Sequence, residues 1–175
     1  MHLFGSIIGG TQIETGQWLD VHNPYTNELV GRVAAITPAK ADAVLRQTYA
    51  TKFDLSRYDR ALILNQMADA VESRIEEIAH LITDESGLCL KDTTYEASRV
   101  CDVLRFSAIK ALDDDSEVFP CDIAKNGRPR RIYTTRQPLH LIAAITPFNH
   151  PMNQVVHKIA PAIATNNAVV LKPSE

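Results

Sequence analysis

Residues 146–151, Thr-Pro-Phe-Asn-His-Pro, set a carboxamide and an imidazole side by side between two prolines. A carboxamide N–H can donate to a developing oxyanion, and an imidazole can carry a proton or meet an anion. Proline fixes φ, so Pro147 and Pro151 make the bend stiff. The plainer role is structural: Asn149 suits a helix cap before a proline at the first helical position, and His150 suits a second cap beside it. Another polar group stands at Lys172-Pro173-Ser174-Glu175. A further one is Arg99, which shares a helix face with Val103 and Phe106 because offsets of four and seven residues return to nearly the same direction. An Arg on an apolar face needs a partner, either Asp102 or another carboxylate, or an anionic ligand that its forked donors fit. Cys89, Cys101 and Cys121 form no C-x-x-C pair and read as small core residues. His150 and His157 are spaced to share a helix face, but no third ligand is near, so no metal site is expected.

The bend is positioned by its flanks. Leu139–Thr146 is an apolar run without alternation, as expected of a strand buried on both faces. A helix should follow from Pro151, disturbed by Pro161. Asn166-Asn167 makes a turn, and residues 168–171, AVVL, form a second apolar strand. This is a β-α-β unit with parallel strands and a right-handed crossover. Ligands of such sheets sit outside the carboxyl ends of the strands, here at TPFN and KPSE. An acidic residue after the second strand of a dinucleotide fold bonds a ribose hydroxyl, which suits Glu175, with Lys172 as a second contact. No G-x-G-x-x-G occurs, so any dinucleotide must lie in a different manner.

Upstream, residues 3–36 are rich in strand and turn signals, with Gly9-Gly10 as a hairpin turn and residues 23–28, NPYTNE, as another. A helix opens with Thr37 as cap and Pro38 at its first position, its apolar stripe being Ala41, Val44, Leu45 and Tyr49. Residues 56–86 carry the stripe Leu64, Met67, Val71, Ile75, Ile78 and Ile82, with a break near Ser73 where a capping box to Glu76 starts a second helix, and Gly87 as terminator. Another capping box, Thr93 to Glu96, opens a helix reaching Leu112. After the acidic residues 113–117 a β-hairpin turns at Asn126-Gly127 and returns along residues 130–137.

Bulk composition excludes several classes. With 175 residues and 45% apolar content, the chain fits one domain with a real core. Eighteen Lys and Arg against 21 Asp and Glu give −3, and the small basic run Arg128–Arg131 reads as a solvated strand edge, so no nucleic-acid partner is expected. No apolar run approaches the ~18 residues of a membrane span, and the first residues do not read as a signal peptide. An odd, scattered cysteine count suits a reduced, cytoplasmic setting.

AITPFNHP and HKIAPAIATNNAVVLKPSE together resemble the cofactor-domain segment of the NAD(P)-dependent aldehyde dehydrogenase superfamily. The residue 7–10 IIGG opening, the NP turn, the paired helices ending at ESG (85–87) and the strand leading to RQPL (136–139) extend the resemblance over the whole chain. PFNHP, HKIAPAIATNN and the segment DDDSEVFPCDIAKNGRPRRI are similar to the phosphonoacetaldehyde dehydrogenase branch. The resemblance implies an α/β fold: the N-terminal portion of a cofactor domain, with helices, the first strands of a parallel Rossmann-like sheet, and a β-hairpin oligomerisation arm. It divides the chain into a hairpin-and-helix part (1–112), the arm (113–138) and a truncated first β-α-β unit of the NAD-binding sheet (139–175).

The chemistry so implied is attack of a cysteine thiolate on an aldehyde, hydride loss to nicotinamide, and thioester hydrolysis by water that a glutamate activates. Asn149 would donate to the oxyanion. Ile145, Thr146, Pro147 and Phe148 would line the nicotinamide channel, and Lys172, Ser174 and Glu175 would hold the cofactor's adenosine end. Glu175 favours NAD over NADP. Arg99 and His150 would bind the anionic group of a substrate such as phosphonoacetaldehyde. No residue here matches the family's nucleophilic cysteine or general-base glutamate, so the expectation is an N-terminal fragment, inactive alone and part of a homo-oligomer when full length. The alternative is a non-catalytic nucleotide-binding or oligomer-docking module.

Overall fold

A computed structural model describes residues 2–113 and 115–174. Five short strands come first: β1 (His2–Phe4), β2 (Ser6–Ile8), β3 (Thr11–Ile13), β4 (Trp18–His22) and β5 (Leu29–Ala34). β5 is central in a three-stranded sheet, parallel to β1 and antiparallel to β4. β2 and β3 form the expected hairpin, and Gly9 and Gly10 both take the positive φ that its turn demands. In the 23–28 turn the Asn23 side chain accepts from the N–H groups of Tyr25 and Thr26 at 2.9 and 3.0 Å, and Asn27 takes φ 59°.

Helix α1 (Pro38–Ala50) starts as expected: the Thr37 hydroxyl accepts from Lys40 N–H. Tyr49 does not join its inner stripe, being exposed and edge-on to His140. α2 (Arg57–Glu72) and α3 (Ile75–Ser86) do break near Ser73. The capping box, however, is Ser56 with Asp59 at the start of α2. Ser73 instead ends α2 and donates to the Ala70 carbonyl, because the chain turns over only two residues, Ser73 and Arg74, before α3. Gly87 closes α3 at φ 71°, and any Cβ there would lie 2.9 Å from the Pro24 ring.

α4 runs from Leu90 to Leu112, beginning three residues before the expected box. Thr93 is fully buried and bonds the Leu90 carbonyl and the Thr83 hydroxyl, so it serves the α3–α4 contact and not a helix end. The hairpin consists of β6 (Val118–Phe119) and β7 (Ile132–Tyr133), shorter than the sequence implied. Its connection is a long loop and not a two-residue turn at Asn126-Gly127. Gly127 is needed because a Cβ would meet the Cys121 carbonyl oxygen at 1.8 Å.

The last three elements are β8 (Leu141–Ile145), α5 (Pro151–Ala164) and β9 (Ala168–Lys172). β8 and β9 pair in parallel, and Asn166 supplies the left-handed turn residue at φ 60°. β8 is not buried on both faces. Ala143 and Ile145, which share a face, are exposed, whereas Ala144 is buried. Among the described residues only β9 pairs with β8, and α5 packs on the pair.

One core joins α2, α4 and α5: Ala61, Leu64 and Ala68 meet Val100, Leu104, Ala108 and Ala111, and Val156, Ala160 and Ala164 complete it. Alanines dominate, so the three helices can approach closely. That contact fixes α5, and hence the bend before it, against the middle of α4.

Candidate active site

The parallel register puts Ile145 beside Lys172, and the Thr146 N–H donates to the Lys172 carbonyl at 3.2 Å. The two strand ends, 145–149 and 172–174, therefore lie side by side. Ile145 and Phe148 are exposed and Thr146 is buried, with no hydrogen-bond partner for its hydroxyl oxygen among the described residues. Ser174 is half-buried. Glu175 lies outside the described residues.

The start of α5 is unusual. Pro151 occupies the first helical position and has no N–H, so the next two amides, of Met152 and Asn153, are the ones that need an acceptor. Both donate to one oxygen, Glu96 Oε1, each at 2.9 Å. Glu96 comes from the second turn of α4 and is only 2% exposed. Its other oxygen, Oε2, lies 3.3 Å from His150 Nδ1. A buried carboxylate with charge-assisted bonds at a helix N-terminus is well placed electrostatically. Neither proposed cap is formed as the sequence implied. His150 occupies the cap position, at φ −148° and ψ 75°, without a side-chain capping bond, and Asn149 stands one residue earlier. The Asn149 side chain is exposed and hydrogen-bonds to no other described residue.

Arg99 stands one helical turn from Glu96 on α4. Its partner is the Tyr95 ring, 5.8 Å from guanidinium carbon to ring centre, and not the expected carboxylate. The face it shares with Val103 and Phe106 is open: Phe106 is 71% exposed. Arg99 is thus on the surface, with its forked donors accessible.

Cys101 is buried in α4, and burial, with the nearby Glu72 carboxylate, raises its thiol pKa. Cys121 is half-buried beside the hairpin. Cys89 is exposed at the start of α4 and so is not a core residue, because α4 begins immediately after it. Among the described residues no group of three His, Cys, Asp or Glu could hold a metal ion, and no helix is long and apolar enough to cross a membrane. A groove between α2, α3 and α5 is lined by Val71, Ile78, Ile82, Met152 and Val155. Glu85 is exposed at its rim, yet partial desolvation raises its carboxyl pKa.

Sequence reasoning missed Glu96, treating it as half of a capping box in its own helix. A signal was present: Glu96 lies one turn from Thr93 and Val100, on the buried side of α4, and a carboxylate there demands donors from another element.

Residues 11–175 match the aldehyde dehydrogenase family. Aspartate-semialdehyde dehydrogenase 1 of Pseudomonas canavaninivorans is 40% identical over 160 residues, covering 90% of this chain and 34% of the relative. 3-Sulfolactaldehyde dehydrogenase of Priestia aryabhattai is 34% identical over 173 residues, covering 98% and 36%. Lactaldehyde dehydrogenase of Methanococcus aeolicus is 34% identical over 167 residues, covering 91% and 35%. The structure of NADP-dependent glyceraldehyde-3-phosphate dehydrogenase from Bacillus halodurans C-125 complexed with NADP superposes with a TM-score of 0.87 at 28% identity, over 99% of this chain and 38% of that one. The chain spans about a third of the length of the relatives it matches.

Proposed function

The chain belongs to the aldehyde dehydrogenase family, and from that premise we propose that it supplies the oxyanion-binding bend and part of the cofactor edge of an enzyme that oxidises an anionic aldehyde to a carboxylate. The observation that carries this reading is the uncommitted Asn149 amide. Because Glu96 satisfies the first amides of α5, Asn149 is spared from capping and can donate to an oxygen that gains negative charge.

Nicotinamide adenine dinucleotide fits the edge formed by the two strand ends. Ile145 and Phe148 offer open apolar surface, and the buried Thr146 hydroxyl oxygen has no partner among the described residues. Ile145 to Phe148 would flank the nicotinamide end, and Lys172, Ser174 and Glu175 the adenosine end. When bound, the dinucleotide accepts the hydride. The carboxylate of Glu175 disfavours a 2′-phosphate, which supports NAD over NADP, although several structural relatives are NADP-dependent or hold NADP.

Arg99 and His150 would bind the anionic group of the substrate. Relatives named for aspartate semialdehyde, 3-sulfolactaldehyde and glyceraldehyde-3-phosphate act on aldehydes bearing a second, charged group, whereas lactaldehyde bears none. Phosphonoacetaldehyde is one member of the charged class. The 118–133 hairpin, with Val118, Ile123 and Tyr133 exposed, supports a role as an oligomerisation arm.

None of Cys89, Cys101 and Cys121 stands in a context that matches the family's nucleophile, so the 175-residue chain alone should not oxidise aldehydes. Calorimetry on this chain tests the cofactor edge. NAD binding that is lost in Glu175→Ala is expected; absence of NAD binding by the folded wild type, as in a docking module, contradicts the nucleotide assignment.

A further inference from the structure

Resting on the assignment of Asn149 and His150 to the substrate side, we infer that Glu96 is the positioning residue of the bend, one carboxylate oxygen tying down the first turn of α5 and the other holding the His150 ring in a single tautomer. Glu96 is separated from His150 by 54 residues of sequence, so the contact fixes one element against another and is not a local turn. An ionised carboxylate only accepts hydrogen bonds. Oε1 is already occupied by the amides of Met152 and Asn153. Oε2, 3.3 Å from Nδ1, attracts the ring only if Nδ1 carries the proton; a bare Nδ1 lone pair would face a negative oxygen. Nδ1 therefore carries a proton, and Nε2 is left as the ring atom free of Glu96, able to donate to an anionic group when it too is protonated. The imidazole is 52% exposed while the carboxylate beneath it is buried, so the ring is anchored from below and open above. His150 directly follows Asn149, and its backbone carbonyl accepts the Gln154 N–H at 2.9 Å. One buried carboxylate thereby anchors the imidazole through Nδ1 and, through the first turn of α5, the backbone that follows Asn149.

Glu96→Gln separates this role from plain helix capping. The glutamine carbonyl can still accept the two amides, but its NH2 then faces Nδ1 and favours a bare nitrogen there. Ring 15N spectra of His150 in the intact chain should show protonated Nδ1 in the wild type. The Glu96→Gln protein, with unchanged helical circular dichroism, should switch to protonated Nε2 and bare Nδ1. A wild type with bare Nδ1 overturns the inference, and so does an unchanged ring pattern in a folded Glu96→Gln protein. Should the variant unfold, the wild-type spectrum alone decides. The substrate reading fails or stands by turnover and binding, which this spectrum does not measure, so either can fail without the other.

Discussion

The Asn149 amide is exposed and uncommitted because capping of α5 falls to a carboxylate from another helix. That division of labour leaves the bend with two side chains for chemistry and none spent on helix ends. Arg99, one helical turn from Glu96 on α4, adds an exposed cation. Its guanidinium rests on Tyr95 and keeps donors open to solvent, as a recruiting group for an anion would. In a chimaera joining this chain to the remaining region of the Priestia aryabhattai relative, Arg99→Ala should raise KM for an aldehyde bearing a phosphonate or sulfonate roughly tenfold or more, the ~1.5–3 kcal/mol of a charged hydrogen bond, and leave a neutral aldehyde nearly unaffected. Steady-state kinetics with both substrates would show it, and an equal effect on the two would remove Arg99 from anion binding. At this scale the sequence was legible where a residue type is rare in its setting. Asn and His between prolines, and Arg on an apolar helix face, stood out. Glu96 did not, because a nearby threonine offered a local partner that the fold does not use.

α5 begins at a proline with two orphan amides and depends on α4 to satisfy them. Glu96→Ala should therefore destabilise the chain by about 2–3 kcal/mol, since buried donors lose their acceptor. Urea unfolding checks this, and a change within experimental error would show that water replaces the carboxylate at no cost. Glu85 acts differently. Its folded pKa is raised above the ordinary carboxyl value of 4.5 by desolvation, so the folded state binds the proton more tightly than the unfolded one. Its stabilising contribution is present below that ordinary value and is lost as pH rises through the folded pKa. The stability difference between Glu85→Gln and wild type should accordingly shift in favour of the variant on going from acid to neutral pH. Paired denaturation curves would reveal it, and a pH-independent difference would contradict it. Element types and order were readable from periodicity, Gly9-Gly10, Thr37-Pro38 and Gly87. Helix starts were not: Ser73-x-x-Glu76 and Thr93-x-x-Glu96 satisfied a local pattern, but Ser73 bonds back to Ala70 in α2, and Thr93 and Glu96 are engaged by α3 and α5.

Across the whole molecule, an alanine-rich contact of α2, α4 and α5 fixes a bend whose amide and imidazole are accessible, beside the end of a second parallel strand. The open face of β8, the exposed α4 surface around Phe106 and the apolar hairpin all present surface for further packing, in a chain spanning about a third of its relatives' length. The parallel strand pair and its paired ends were legible because apolar strands, an intervening helix and two polar ends recur in a fixed order. The open face of β8 was not, because an apolar run does not say how many neighbours will cover it. The most direct test of the central claim is the effect of Asn149→Ala on kcat for NAD-dependent aldehyde oxidation in the same chimaera. Loss of one oxyanion donor should lower kcat by roughly 10²–10³-fold with KM little changed. A kcat within a few-fold of the parent, or a loss confined to KM, would show that the bend does not stabilise the oxyanion.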